Sequence, residues 1–340
     1  MNYITGQINL KTKIPIVSTI LNFNDIKGAI KARWDINRNN YNVKPGLYAI
    51  GSPDSSSDVF VSANYKLSFD HLRKNLNGLN AWILVLDTKG INVWCAAGKG
   101  TFGTKELVSK IKEFAIETIV EHKRIIVPQL GAVGVSAHEV KSETGFNIKY
   151  GPVKASDIKD FLKNNYKATQ KHRTVDFPFF ERLKLTPVEI VGHLKYFLFV
   201  FALMFILSGF SEATFAVNNS WNYSLILIAN LCSAYLVGAI LTPVLLPFIP
   251  VKEFAFKGLI LGLLISVFIF YFNLMGNNLI ENISLFLINT AIASFIAMNF
   301  TGSSTFTSLS GVKKEMRLFV PIQILFFATG LIMWIIMRFV

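Results

Sequence analysis

The stretch INVWCAAGKGTFGTKEL, residues 91–107, decides how the first half of the chain is read. Gly98, Gly100 and Gly103 meet the G-x-G-x-x-G spacing with which a strand-to-helix turn holds a pyrophosphate on a helix N-terminus. An apolar run, AWILVLD (81–87), precedes the stretch, and Leu107, Val108, Ile111, Phe114, Ala115 and Ile119 follow at helical spacing. A strand, a turn and a helix are expected in that order. Cys95 stands three residues before the first glycine, so the turn that suits a phosphate also presents a thiol.

Working outward, GLYAIG and DVFVSA read as strands, LSFDHLRKNL as an amphipathic helix and RIIVP as a further strand. SAHEVKSETG reads as a short helix stopped by Gly145, FNIKYG as a strand and KASDIKDFLKNN as a helix. Strands alternating with crossover helices predict an α/β, Rossmann-like domain with a mostly parallel sheet. Ligands of such sheets sit beyond the carboxyl ends of the strands. Three loops rich in small residues qualify: VSANYKLS (61–68) with Ser62 and Asn64, CAAGKGTFG (95–103), and PQLGAVGVSA (128–137) with Gly131 and Val133.

The dinucleotide reading lacks its carboxylate. An Asp or Glu is required at the end of the next strand, and that strand runs into Pro128 and Gln129. A Walker loop fails as well, because Val93 occupies the position of its first glycine. For Cys95 two readings stand. It is a small buried hydrophobe beside Trp94, or it is a thiolate favoured by a helix N-terminus and by Lys99 four residues on, serving as nucleophile, redox sensor or ligand for a soft metal. His71, His122, His138 and His172 show no local pairing with it that would mark a nucleophile and its base.

The second half is of another kind. Residues 191–340 carry 7 Lys/Arg and 4 Asp/Glu, against 27 and 17 in residues 1–190. Five apolar runs, 192–210, 221–246, 257–275, 279–300 and 318–338, each approach the ~20 residues that cross a bilayer. Pro243 is expected to kink the second. Lys and Arg flank the first run and fill the second and fourth loops (Lys252, Lys257, Lys313, Lys314, Arg317), whereas SEATFAVNNS and GNNLIEN have none. That bias predicts a multi-pass protein of the cytoplasmic (inner) membrane, with the N-terminal domain cytoplasmic and the C-terminus outside; Arg338 is the one exception. The first residues lack the apolar stretch of a signal peptide, so none is expected. The organisation is then a cytoplasmic domain over 1–165, an interfacial linker over 166–190 with Phe177, Phe179, Phe180, Leu183 and Leu185, and an all-α transmembrane domain of five helices over 191–340. The hydroxyl-rich run NFTGSSTFTSLSG (299–311) is read as a loop. The basic balance suits an anionic lipid bilayer, and scattered Lys without a basic-aromatic module speaks against nucleic acid.

NVWCAAGK, Asn92 to Lys99, resembles the cap-helix motif of the corrinoid proteins of mercury methylation, the HgcA family. VSANYKLSFD, GKGTFGT and QLGAVGVSAHEVKSETGFNIKYGPVKASDI are similar to the large subunit of the corrinoid iron-sulfur protein of the acetyl-CoA pathway, and the likeness covers much of 45–165. The resemblance implies a corrinoid-binding domain holding cobalamin, with Cys95 as the catalytic residue and lower axial ligand to cobalt. It implies cofactor contacts from Asn92, Val93, Trp94, Cys95, Ala96, Ala97, Gly98, Lys99, Gly100, Thr101, Gly103 and Thr104, with Ser62, Asn64, Gly131 and Val133 as further walls. The chain departs from the acetyl-CoA pathway protein in having two cysteines, so no iron-sulfur cluster is expected in it. It also has no D-x-H-x-x-G motif for a histidine ligand, since DHLRKN sets His71 one place early.

What the resemblance implies for function is a corrinoid-dependent methyltransferase. Co(I) takes a methyl group from a methyl-folate donor or its methyltransferase, and methyl-Co(III) passes it to Hg(II), giving methylmercury. Electrons then come from a partner, an HgcB-type ferredoxin with two 4Fe-4S clusters. Two alternatives are a corrinoid methyl carrier with a different acceptor, and a membrane transporter or sensor whose soluble domain binds a cofactor.

Overall fold

A computed structural model describes residues 3–10, 12–211, 214–303 and 309–339. The chain divides into two compact units, Met1–Ala32 with Ile36–Asp176, and Arg33–Asp35 with Phe177–Val340.

The first unit is built on seven strands: β1 (Ile4–Asn9), β2 (Lys13–Val17), β3 (Gly46–Ile50), β4 (Val59–Ala63), β5 (Ala81–Leu86), β6 (Arg124–Val127) and β7 (Asn147–Tyr150). They form one sheet in the order β1-β2-β3-β5-β4-β6-β7. Its helices are α1 (Phe23–Arg33), α2 (Lys66–Asn75), α3 (Val93–Lys99), α4 (Thr104–Glu113), α5 (Ala137–Thr144), α6 (Ile158–Lys163) and α7 (Gln170–Arg173). β3, β4 and β5 are buried along their whole length, which is why they read as unbroken apolar runs. Alternate side chains feed two cores. Val61, Ala63, Leu84 and Leu86 pack with Leu107, Val108 and Ile111 of α4 and Val140 of α5. Phe60, Ile83 and Val85 pack with Phe69 and Leu72 of α2 and Phe161 of α6 on the opposite face.

The sheet is mostly parallel, as expected, but mixed: β5, β4, β6 and β7 run parallel and β2 pairs parallel with β3, whereas β3 is antiparallel to β5 and β1 to β2. The connection 51–58 between β3 and β4 is shorter than the dozen or so residues that a parallel crossover needs. The helix expected from Thr104 onward stops at Glu113, because Ala115 takes a left-handed conformation (φ 45°) and Ile116–Thr118 continue as a 3-10 turn that buries Ile116. Residues 91–107 are not one strand-to-helix turn. A separate helix, α3, occupies 93–99, closed by Gly100 in the left-handed region (φ 82°), and Gly103 is the N-cap of α4.

The second unit is helical: α8 (Phe179–Leu183), α9 (Thr186–Leu207), α10 (Val217–Leu236), α11 (Thr242–Leu245), α12 (Phe254–Tyr271), α13 (Leu279–Asn299) and α14 (Leu309–Phe339), with a small antiparallel pair, Phe210–Ser211 and Thr214–Phe215, between α9 and α10. Among the described residues, five stretches are long and apolar enough to cross a membrane: Phe179–Leu207, Val217–Phe248, Phe254–Tyr271, Leu279–Asn299 and Ser310–Phe339. Pro243, which has no N–H for the helical ladder, follows a π-helical segment at Val237–Leu241. Gly258 and Gly262 set α12 directly on α13, where a Cβ at Gly258 would stand 2.7 Å from the Ala293 carbonyl oxygen. Arg338 pairs with the buried Glu281, and its guanidinium lies 4.0 Å from the ring centre of Tyr223. The middle of the hydroxyl-rich run, 304–308, lies outside the described residues.

Candidate functional site

The parallel strands end together at Ala63, Leu86, Val127 and Tyr150. From β4 the chain leaves toward α2 on one face, and from the neighbouring β6 toward α5 on the other. Loops that part to opposite faces leave a crevice between adjacent strand ends, the usual place for a ligand in an open α/β sheet. α3 lies at this crevice, against the end of β4 and against the turn Gln129–Gly131 that follows β6.

Local chemistry explains α3. Asn92 is its N-cap, and the Cys95 N–H donates to Asn92 Oδ1 at 2.9 Å. The Ala96 N–H donates to the Asn92 carbonyl at 2.9 Å, and at the other end the Thr101 and Phe102 N–H groups converge on the Ala96 carbonyl. Ala96 and Ala97 are buried in the α4-side core with Phe102. Small side chains on that face bring the helix down onto the sheet edge. Val93 also packs against that core, while Asn92, Trp94 and Cys95 are half-buried and Gly98, Lys99 and Gly100 are exposed. Cys95 is therefore neither a core residue nor at a strand end. It is the third residue of a capped helix, separated from β5 by the loop 87–92, with Lys99 one turn farther along. Asn92→Ala is expected to cost about 1 kcal/mol of local stability, which speeds amide exchange at Cys95 about fivefold in hydrogen-exchange mass spectrometry.

The loop after β6 is fitted to α3 by its glycines. A Cβ at Gly134 would stand 2.2 Å from the Phe102 carbonyl oxygen and 3.1 Å from Ala97 Cα; at Gly131 it would stand 2.4 Å from the Phe102 ring. Thr104 fastens the loop, its N–H donating to the Gly134 carbonyl (3.0 Å) and its Oγ1 accepting from the Ser136 N–H (2.8 Å). Val133 stands at the tip, 79% exposed. Gln129, which the sequence marked only as the wrong residue for a ribose, has its side-chain oxygen buried beside α3 with no hydrogen-bond partner in the protein. No sequence signal singles it out, since its burial depends on α3 folding over it.

The 61–68 loop has a different role. Ser62 faces away from the α4-side core, and its hydroxyl donates to the Ala63 carbonyl. Asn64 Oδ1 accepts from the Thr88 N–H (3.1 Å), the Thr88 hydroxyl (2.8 Å) and the Gly90 N–H (2.9 Å), so its amide staples the loop leading into α3. In that loop a hydrogen bond from the Lys89 ammonium holds the Asp87 carboxyl below the usual carboxylate range. The structure thus gathers 92–104, Gly131 and Gln129 around one crevice, with Ser62 and Asn64 beneath or behind it.

Comparison with known proteins gives a local likeness. Residues 34–162 match the family model of the CO dehydrogenase/acetyl-CoA synthase delta subunit. The acetyl-CoA decarbonylase/synthase complex subunit gamma of Archaeoglobus fulgidus is 32% identical over 126 residues, 36% of this chain and 26% of that protein. The subunit gamma of Methanopyrus kandleri is 32% identical over 123 residues, 36% and 26% of the two chains. The corrinoid/iron-sulfur protein large subunit of Moorella thermoacetica is 29% identical over 125 residues, 36% and 28%. The chain spans about a quarter of the length of these relatives, and the match takes in the whole Cys95 crevice and none of the apolar helices.

Proposed function

We propose that this is a membrane-anchored corrinoid protein in which Cys95 would hold the cobalt of a corrinoid through its sulfur, and that it passes a methyl group to Hg(II). The observation that carries the reading is the half-buried Cys95 on a capped helix over the carboxyl edge of parallel strands, inside the region similar to a corrinoid/iron-sulfur protein. The residues present fit such a group. A flat ring with amide side chains needs close backbone approach and isolated acceptors; the exposed Gly98 and Gly100 allow the first, and the orphaned Gln129 oxygen offers the second. Bound there, a corrinoid supplies a cobalt centre able to take up and release a methyl group.

The protein's own part is positional. Asn92 holds the Cys95 amide and with it the sulfur, Ala96 and Ala97 anchor the helix, and Lys99 meets corrin amides or the thiolate. Val93, Trp94, Thr101 and Gly103 shape the turn, and Val133 covers the rim. A soft thiolate is a strong donor, which favours delivery of the methyl group to a thiophilic acceptor. The five apolar helices anchor the unit in the cytoplasmic membrane, a methyl-folate donor or its methyltransferase supplies the methyl group, and a ferredoxin with two 4Fe-4S clusters supplies electrons. The test is the full chain in nanodiscs with cobalamin, methyl-folate and its methyltransferase, reduced ferredoxin and Hg(II), read by mass spectrometry for methylmercury. Methyl transfer to other thiophiles but not to Hg(II) leaves the carrier reading and removes mercury.

Gln129→Leu separates binding from folding. It removes a buried oxygen that has no partner, so stability is unchanged or higher, while cobalamin affinity falls about fivefold for one lost hydrogen bond of ~1 kcal/mol. Equilibrium titration followed by absorbance measures it.

A transporter or sensor reading draws on one observation, a cavity of about 580 Å³ in the helical unit lined in part by Lys252, Glu253, Lys257, Lys314 and Glu315. It requires ligand flux in proteoliposomes that survives Cys95→Ala.

A further inference from the structure

Helix α1 is turned inside out. Asp25 and Ala32 are its buried residues, and Gly28 lies so close to Tyr41 that a Cβ would stand 2.5 Å from the ring. Phe23, Ile26 and Ile30, on the opposite side, are 75%, 50% and 54% exposed, with Ile20 before them 75% and Trp34 after them 42% exposed. At 100° per residue Phe23, Ile26 and Ile30 form one stripe, with Lys27 on its flank and Lys31 beyond. An ordinary surface helix buries its large apolar residues and exposes its charge. Here a carboxylate is inside: Asp25 Oδ1 and Oδ2 bind Lys66 Nζ (2.6 Å) and Arg73 Nη2 (2.7 Å) of α2. That pairing fixes the outward direction of the apolar stripe, so the exposure is built into the fold rather than left by a loose end. Beside the stripe runs a shallow groove lined by Ile20, Leu21 and Ile26 with Lys74 at its edge.

We propose that α1 lies in the headgroup layer of an anionic bilayer, with Phe23, Ile26 and Ile30 among the acyl chains and Lys27 and Lys31 on lipid phosphates. Charge complementarity and the chain's own composition select this occupant. An apolar stripe edged by lysines is the pattern of an interfacial helix, and five apolar helices in the same polypeptide keep a bilayer at high effective concentration. The proposal rests on the membrane-anchored reading and adds a second, peripheral attachment to it.

The test uses the full chain with Cys95 and Cys232 replaced by Ala, in nanodiscs of phosphatidylcholine with and without phosphatidylglycerol. Spin labels are placed at Phe23→Cys and Ile30→Cys, with Val267→Cys on α12 and Lys141→Cys on α5 as references. Power-saturation EPR compares collisions with oxygen, which partitions into lipid, and with a nickel chelate, which stays in water. In discs containing phosphatidylglycerol the labels at 23 and 30 are expected to favour oxygen as the label at 267 does, while the label at 141 favours nickel. The added substitutions Lys27→Glu and Lys31→Glu shift 23 and 30 toward nickel. Labels at 23 and 30 that follow 141, or that are shielded from both reagents as under a protein partner, overturn the proposal, and so does indifference to the two glutamates. A label at 267 that also favours nickel overturns it through the five-span reading itself, which separates the two failures.

Discussion

Cys95→Ala is expected to lower the proposed methyl transfer to Hg(II) by at least about a hundredfold, or ~2.7 kcal/mol in the barrier, while leaving the protein folded. The two halves of this expectation come from different observations. Cys95 is half-buried, its backbone N–H rather than its sulfur makes the capping bond, and Ala is the best helix former, so the change is structurally bland. Melting of the substituted protein is expected to stay within about 0.5 kcal/mol of the native one. Chemically, nothing replaces the sulfur. Trp94, Ala96, Ala97 and Gly98 beside it carry no metal donor in their side chains, and Lys99 carries a cation. The absorption and electron-spin spectra of the full chain loaded with cobalamin are therefore expected to differ between Cys and Ala at 95. Spectra that coincide, with methylmercury formation retained, remove the thiolate from the proposal.

The second large effect concerns stability. Arg73→Met is expected to destabilise the first unit by about 3–5 kcal/mol, the usual cost of removing one partner from a buried ion pair. Arg73 is fully buried, binds Asp25 and Asp70 at 2.7 Å each, and also donates to the carbonyls of Ser18 and Ile20. Without it two buried carboxylates share Lys66 alone, and α1 together with the chain before it loses its tie to α2. Chemical denaturation read by tryptophan fluorescence, with hydrogen exchange in α1, measures the loss; a change under 1 kcal/mol would contradict it. The acid side follows with a definite sign. Burial pushes the Asp25 carboxyl upward, but hydrogen bonds from Lys66, Asn22 and Arg73 outweigh it and hold the group below the usual carboxylate range. Its contribution is present in full above the ordinary carboxylate pKa of about 3.9 and is lost as pH falls through the lower folded value. α1 protection is thus constant from pH 5 to 8 on this account and disappears only in strong acid.

The elements differ in how visible they were beforehand. The apolar runs became five long helices because length and composition are local properties, and the π-helical segment sits where Pro243 predicted a kink. β3 to β7 appeared where alternation and apolar runs placed them, and Gly145 stops α5 in the left-handed region (φ 74°). The glycine stretch misled on its local form: one pattern of three glycines serves the end of α3 and the start of α4, and spacing does not distinguish that from a phosphate turn. Gln129 escaped notice, and the hydrogen bonds of Ser62 to the Ala63 carbonyl and of Asn64 to the loop leading into α3 are visible only in the fold.

By itself, then, the order of residues determined the strands β3 to β7 but not β1 and β2, which helices are long and apolar enough for a bilayer, and that a lone thiol stands in a small-residue stretch between β5 and α4. These follow from nearest-neighbour periodicity and side-chain size. Only the tertiary structure decided that β3 runs against β5, that α3 crosses the end of β4 to lie on the turn after β6, and that α1 buries Asp25 and turns Phe23 outward. Each of these depends on partners tens of residues away, where pairing of backbone groups and buried charge outweighs local preference.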